Sequence, residues 1–236
     1  MSKKTSIIIC TLNEAKFVEN CINEILNKIP NVELIIVDDN SSDGTTEIIK
    51  NHKQANKFKF IQRSKGVGLA SAFSRGVMEV TGDYIGWIDT NMAYLVPKFS
   101  EMQGDLSSSS DIVVLSRYIK GGSDERSYLR STSSKLINLF CKFIFSSKIN
   151  DFTSGLFLMK KEIINEIPII AYGHGEFFIE FLYNIEKKNY KVLEIPYVQR
   201  IDIDPINSKS APNNFKFFIL GIQYMVRILV SRLRKI

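Results

Sequence analysis

The stretch Leu34-Ile35-Ile36-Val37-Asp38-Asp39-Asn40-Ser41-Ser42-Asp43-Gly44-Thr45 decides the fold. Its first four residues are apolar without a polar break, the pattern of a parallel strand buried on both faces. The run then ends abruptly in acids, Asn and Ser. Further along, Tyr84-Ile85-Gly86-Trp87-Ile88 ends in Asp89-Thr90-Asn91 in the same way. Ligands of open α/β sheets bind outside the carboxyl ends of such strands. Two acid-tipped strands therefore predict one polar site, suited to a nucleotide and a divalent cation. A plainer reading stays open here, because Asp-Asn-Ser-Ser-Asp-Gly is also the composition of a turn and a helix cap.

Working outward, the first half alternates strand and helix. Strands are predicted near 6–10, 33–37, 58–62, 83–88 and 111–115, and helices near 15–28, 43–51, 67–80 and 97–103. Asp43 is placed to cap the second helix, and Pro97 suits a first helical turn. This rhythm predicts an α/β fold with a mostly parallel, doubly wound sheet flanked by helices. Trp87 reads as core. Gly66 and Gly68 read as a tight turn, because the third glycine and strand context of a dinucleotide fingerprint are missing.

The second half is less regular. Ser133 to Ser147 carries Leu136, Ile137, Leu139, Phe140, Phe143 and Ile144 at helical spacing, with Lys135, Asn138 and Lys142 on another face. That is a basic amphipathic helix. A polar turn, Asp151-Phe152-Thr153-Ser154-Gly155, precedes the short run Leu156 to Met159. A helix near 176–188 and a strand near 191–197 follow, and 202–214 reads as a loop. The tail, 215–236, is helical again. Lys216, Gln223, Arg227 and Arg234 form one polar stripe along it. Its apolar stretch is short for a bilayer span and contains Arg227. Two readings remain for these helices: packing on the sheet, or lying on a membrane surface.

The chain has 236 residues, 44% of them hydrophobic and 24% charged, enough for a globular core. Cys10, Cys21 and Cys141 are scattered, without a C-x-x-C pair, which argues against a disulfide framework or a zinc site. The net charge of +6 is uneven. Lys216 to Lys235 holds five basic residues and no acid, and 117–148 is also basic. Such surface suits anionic lipid or a phosphorylated substrate. No nucleic-acid module is apparent, and the aromatics form no stacking platform.

Several segments in order resemble family 2 glycosyltransferases of GT-A fold, and among them the dolichyl- or polyprenyl-phosphate sugar transferases. They begin at Ile9-Cys10-Thr11-Leu12-Asn13-Glu14, similar to P-T-Y-N-E with Cys for Pro. They continue through Val37-Asp38-Asp39-Asn40-Ser41-Ser42-Asp43-Gly44-Thr45 and Lys65-Gly66-Val67-Gly68-Leu69-Ala70 to Thr81-Gly82-Asp83-Tyr84. Ser116-Arg117-Tyr118, Asp151-Phe152-Thr153-Ser154-Gly155, Arg200 and Ser208-Lys209 complete the set. The resemblance implies a GT-A domain over 1–212, and the residue pattern adds a basic amphipathic helix over 213–236, expected to be peripheral to a membrane.

By motif, the resemblance implies that Leu12, Glu14, Val37 and Asp39 line the base and ribose pocket. Asp89-Thr90-Asn91 stands for D-x-D, with Asp89 and Asn91 toward Mg²⁺ or Mn²⁺ and the sugar-nucleotide diphosphate. Arg117, Arg200 and Lys209 are expected on phosphates, and Asp89, Arg117 and Asp151 as the catalytic set. The departures are Asn91 for the second acid and Ala93 where many such transferases have Gln. Asn offers a carbonyl oxygen without charge, so the metal motif is weakened.

The implied reaction is inverting transfer of a sugar from a GDP- or UDP-linked donor to a polyprenyl phosphate. That acceptor is already an anion and needs no general base. A glycan hydroxyl is the alternative acceptor and needs a base, for which Asp151, Glu176 and Glu180 are candidates. A pseudoenzyme that keeps the nucleotide pocket is a further alternative, motivated by Asn91 and Ala93. The expected location is cytoplasmic, peripheral to the cytoplasmic face of a membrane, beside a separate membrane-protein partner.

Overall fold

The computed structural model of the chain describes residues 3–65, 68–201 and 214–234. In chain order the elements are β1 (Thr5–Thr11), α1 (Val18–Lys28), β2 (Val32–Asp38), α2 (Thr45–Lys50), β3 (Phe58–Gln62), α3 (Leu69–Val77), β4 (Tyr84–Trp87) and α4 (Lys98–Ser108). Then come β5 (Ile112–Ser116), β6 (Ser123–Asp124), α5 (Tyr128–Phe145), β7 (Phe157–Lys160), α6 (Glu162–Glu166), α7 (Glu176–Lys187), β8 (Val192–Pro196), β9 (Val198–Gln199) and α8 (Asn214–Leu233). The chain divides into two compact units. The first is Met1–Val113 with Leu156–Gly173, and the second is Val114–Gly155 with His174–Ile236.

In the first unit the strand order is β3-β2-β1-β4-β7. β1 pairs in parallel with both β2 and β4, and β2 with β3. The register Thr11↔Asp38 and Asp38↔Gln62 brings the carboxyl ends of three strands level. After β3 the order turns back to the other side of β1, so the crevice between β1 and β4 is the switch point of the sheet. The run at 156–159 becomes β7, antiparallel to β4 with Trp87 opposite Phe157. It is the departure from an otherwise parallel arrangement.

Ile7, Ile8, Ile9 and Leu34 to Val37 are all fully buried, as strands covered on both faces require. Phe73 of α3 closes one face, with ring centroids 5.5 Å from Trp87 and 5.8 Å from Phe157. Two glycines set the closeness of these layers. A Cβ on Gly76 would lie 2.6 Å from Cγ2 of Ile8, and one on Gly86 would lie 2.6 Å from Cδ1 of Ile7. Cys10, Cys21 and Cys141 are free thiols.

In the second unit β8 lies beside β5, which begins in the first unit, and β6 pairs in parallel with β9. α7 is buried through nearly its whole length, and both it and α5 pack on α8. The amphipathic helices are oriented differently from the sequence pattern. On α5 the polar Asn138 is buried, while Leu136, Leu139 and Phe143 are exposed. On α8, Arg227 turns inward and Arg234 reaches a buried partner. Ile222, Val226, Leu229 and Leu233 face out.

The inward polar groups are matched by partners far off in sequence. Asn138 donates to Thr153 Oγ1 at 2.9 Å and accepts from the backbone N–H of Phe152 at 2.6 Å. Glu180, itself buried, pairs with Arg227 and, at 2.6 Å, with Arg234. Tyr183 stacks on Phe145 at 3.9 Å and accepts a hydrogen bond from Arg232 at 3.0 Å. Among the described residues, no helix is long and apolar enough to cross a membrane.

Candidate active site at the carboxyl ends of the strands

The acids after β2 separate into two groups. Asp38 serves the loop: it accepts from Thr11 Oγ1 (2.7 Å), Ser41 N (2.9 Å), Ser41 Oγ (2.5 Å) and Thr46 Oγ1 (3.2 Å). Asp43 does likewise, accepting from Thr45 N and Oγ1 and from Ala15 N. Burial alone would raise its carboxyl, but these hydrogen bonds outweigh that and hold it low. For these two the turn reading is the right one, while the N-cap position of α2 falls on Gly44 and not on Asp43 as expected. Asn13 completes the loop, with its N–H on Ser41 Oγ and its side-chain oxygen on Ser42 N.

Asp39 and Asp89 are arranged otherwise. Asp39 is nearly buried at the mouth of the sheet and is fixed from two sides, by Arg63 Nε at 3.0 Å and by Gly68 N at 3.0 Å. Arg63 follows β3, ties its own N–H to the carbonyl of Asp38, and donates through Nη2 to Ser71 at 2.9 Å. Its role went unread in the sequence. The available signal was its position, the first residue after a strand whose end is level with Asp38.

Asp89 follows β4, half-buried, with Thr90 buried behind it and Asn91 exposed. Thr90 donates to Glu14 Oε2 at 2.7 Å, joining the loop after β4 to the loop after β1. Glu14 and Asp89 thus face one crevice, the switch point of the sheet. Burial, and then the charge of Glu14, push the Asp89 carboxyl up to about 6. Leu12 is exposed beside them, whereas Val37 lies wholly in the core.

A cation fits this chemistry. A carboxyl pushed up by burial and by the charge of Glu14, as Asp89 is, is relieved by a divalent ion. Among the described residues no three His, Cys, Asp or Glu side chains cluster to cage one. Mg²⁺-like ions take one or two carboxylates and fill the remaining positions with phosphate and water.

Arg117 and Asp151 lie in the second unit. Arg117 is buried, and its guanidinium is already engaged. Nε and Nη2 form a fork on Asp151 at 2.8 Å each, Nη2 also reaches Thr153 at 2.7 Å, and Nη1 approaches Asp124 at 3.4 Å. Asp151, fully buried, further accepts from the N–H groups of Arg117 (3.0 Å) and Thr153 (3.1 Å). Burial works against its charge, but Arg117 outweighs burial and holds the carboxyl low.

Arg117 and Asp151 thus hold each other away from solvent, with Thr153 and Asp124 as further partners of Arg117. Arg200 is exposed, and Lys209 lies outside the described residues.

The mostly parallel sheet with helices on its faces and an acid-lined switch point is an α/β fold of GT-A type. The model of glycosyl transferase family 2 matches residues 6–168, and the chain belongs to that family. It is similar to a dolichol-phosphate mannosyltransferase of Pyrococcus furiosus, 32% identical over 202 residues, covering 82% of this chain and 56% of the relative. The chain thus spans little more than half the length of that relative. A polyprenol monophosphomannose synthase of Mycolicibacterium smegmatis is 23% identical, over 83% of this chain and 77% of its own.

Among solved structures, glucosyl-3-phosphoglycerate synthase from Mycobacterium tuberculosis in complex with UDP superposes with a TM-score of 0.75. Its identity is 16%, over 99% of this chain and 82% of that one. The likeness is one of fold.

Proposed function

We propose that this chain carries the catalytic unit of an inverting glycosyltransferase that moves a sugar from a GDP- or UDP-linked donor to a polyprenyl phosphate. The observation that carries the reading is the Asp89–Glu14 crevice at the switch point, with Asp39 fixed beside it by Arg63. Carboxylates there accept from base N–H and ribose hydroxyl groups. Asp89, with the carbonyl of Asn91, would hold Mg²⁺ or Mn²⁺, and that ion would neutralise charge growing on the leaving diphosphate. The M. tuberculosis synthase has been solved with Mn²⁺ and UDP, which supports that use. Arg200 and Lys209 are proposed as further phosphate ligands.

In the reaction a phosphate oxygen of the acceptor forms the new bond to C1. The bond from C1 to the nucleoside diphosphate breaks, and the diphosphate leaves with the electron pair. The anomeric configuration inverts. An anionic acceptor has no proton to give up, and three observations support it. Asp151 is closed off on Arg117, Glu180 is gripped by Arg227 and Arg234, and Glu176 is buried while accepting from His174 N at 2.9 Å. None of these three stands open as a base for a hydroxyl. The names of the Pyrococcus and Mycolicibacterium relatives support the same acceptor class.

The outward apolar faces of α5 and α8 support attachment at a membrane surface, proposed as the cytoplasmic one. Phe143 and Leu233 are each 81% exposed. Aromatic and aliphatic side chains beside Lys and Arg are the composition of interfacial helices.

The test is acceptor discrimination. UDP- and GDP-sugars are offered with a polyprenyl phosphate, the neutral polyprenol of equal length, and a glycan, and products are read by mass spectrometry. A sugar-phosphate lipid from one donor supports the proposal. Transfer only to the glycan favours the hydroxyl acceptor. No product with any acceptor, despite nucleotide binding, favours a pseudoenzyme.

A further inference from the structure

The D-x-D place after β4 is one charge short. Asp89 supplies an acid, Asn91 offers an uncharged carbonyl, and Ala93 is buried and offers no ligand. Between Asp89 and Asn91 stands Thr90, 4% exposed, whose hydroxyl donates to Glu14 Oε2 at 2.7 Å. Thr90 opens the 3₁₀ turn Thr90–Leu95, which packs on α1. Glu14 lies just ahead of α1. Its N–H donates to Thr45 Oγ1 at 2.8 Å, and its carbonyl accepts from Phe17 N at 2.9 Å and Val18 N at 3.0 Å. Both ends of the Thr90–Glu14 bond are therefore anchored through the backbone.

A hydrogen bond to an ionised acceptor is stronger than a neutral one, and this one fixes how the carboxylate turns. Because Thr90 is the chain neighbour of Asp89, the bond brings the Glu14 charge to the place where the second acid is missing. Asp89 feels that charge, which helps to push its carboxyl up. Holding two like charges together is unfavourable in the free protein, and a divalent cation reverses the sign of that interaction. Charge count and rigidity of the oxygen groups set the affinity of such sites.

We infer that Glu14 supplies the charge missing at Asn91, and that Thr90 is the positioning residue that holds it there. Glu14 then serves the cation and the diphosphate, and the base and ribose are left to Asp39. The inference rests on the cation and diphosphate reading proposed above.

The experiment is calorimetric titration of the full chain with UDP and GDP and with their nucleosides, in Mn²⁺ and in EDTA. The proteins are wild type, Glu14→Gln, Thr90→Val, Thr90→Ser and the double variant of Glu14→Gln with Thr90→Val. Glu14→Gln keeps an acceptor for Thr90 and removes the charge. It is expected to lower the Mn²⁺-dependent gain in diphosphate affinity by about tenfold while nucleoside affinity is unchanged. Thr90→Val keeps the charge, loses the donor, and is expected to lose part of the same gain, which Thr90→Ser retains. The double variant is expected to lose no more than Glu14→Gln alone, because a position without a charge has no effect.

An Mn²⁺-dependent gain that survives Glu14→Gln intact overturns the charge role. Equal losses for nucleoside and diphosphate overturn it as well and make Glu14 a base or ribose ligand. Losses that add in the double variant overturn Thr90 as the positioning residue. Glu14 is only half-buried, so Glu14→Gln keeps the inference testable should Thr90→Val not fold. A wild type with no Mn²⁺-dependent gain overturns the cation reading and this inference with it. A wild-type gain that Glu14→Gln leaves untouched overturns this inference alone.

Discussion

Replacing Asp151 with Asn separates a supporting role from a reactive one. Its carboxylate accepts the Arg117 fork at 2.8 and 2.8 Å and two backbone N–H groups at 3.0 and 3.1 Å, all away from solvent. Asn keeps the volume and one carbonyl acceptor, but it turns an NH₂ group toward a guanidinium that has only donors. Removing one partner of a buried ion pair costs about 3–5 kcal/mol, chiefly because the other charge is left buried. For 236 residues the unfolding entropy is roughly 0.5 kcal/mol/K, so the midpoint is expected to fall by about 6–10 °C. Scanning calorimetry reads the shift, and nucleotide titration shows whether the donor site in the first unit survives. Both a large drop in midpoint and retained nucleotide binding are expected. A midpoint within about 2 °C of wild type, well below the cost of a broken buried pair, together with abolished transfer, would refute the supporting role and return Asp151 to the reacting atoms.

Two further outcomes follow from the same geometry. Glu33 accepts from Ser6, Thr81 and Lys4, and these bonds outweigh burial to set its carboxyl at about 2. A carboxyl lowered on folding stabilises the fold above its unfolded value near ~4.3, and the contribution is lost as pH falls toward 2. Glu33→Gln should therefore cost about 1–3 kcal/mol at pH 7, and the gap to wild type should close between pH 5 and pH 2 in thermal melts. A gap independent of pH would contradict the assignment. For the membrane face, Phe143→Asp with Leu233→Asp should release the chain from anionic vesicles in flotation assays. Stability should shift by no more than roughly 0.5 kcal/mol per site, because both side chains are exposed. Unchanged flotation would remove α5 and α8 from the membrane contact.

The strands of the first unit were legible in the sequence because burial on both faces demands unbroken apolar runs. β1 to β5 fall within a residue of the predicted spans at each end. The antiparallel direction of β7 was not legible, since a four-residue run carries no signal of which strand it will meet. The acid cluster after β2 could be read as a site or as a turn, and the structure divides it. Asp38 and Asp43 close the loop, while Asp39 faces the mouth beside Arg63.

Which face of each helix turns inward was not legible, for a physical reason. Asn138 and Arg227 read only as members of polar faces, because their partners, Thr153 and Glu180, lie far off in the chain. Only the fold reveals that the polar side is the satisfied one, which leaves the apolar side exposed. The pairing of Arg117 with Asp151, 34 residues apart, was hidden in the same way.

The central claim is that the crevice between β1 and β4 binds a nucleoside diphosphate through Asp89. It is tested most directly by calorimetric titration of UDP and GDP into wild type and Asp89→Asn, with Mn²⁺ and with EDTA, alongside the parent nucleosides. One diphosphate is expected to bind wild type more tightly with Mn²⁺, and Asp89→Asn is expected to remove that metal-dependent gain while nucleoside binding is kept. Diphosphate binding that is equal in the two proteins, with Mn²⁺ or without it, would rule out a role for Asp89 in holding the diphosphate.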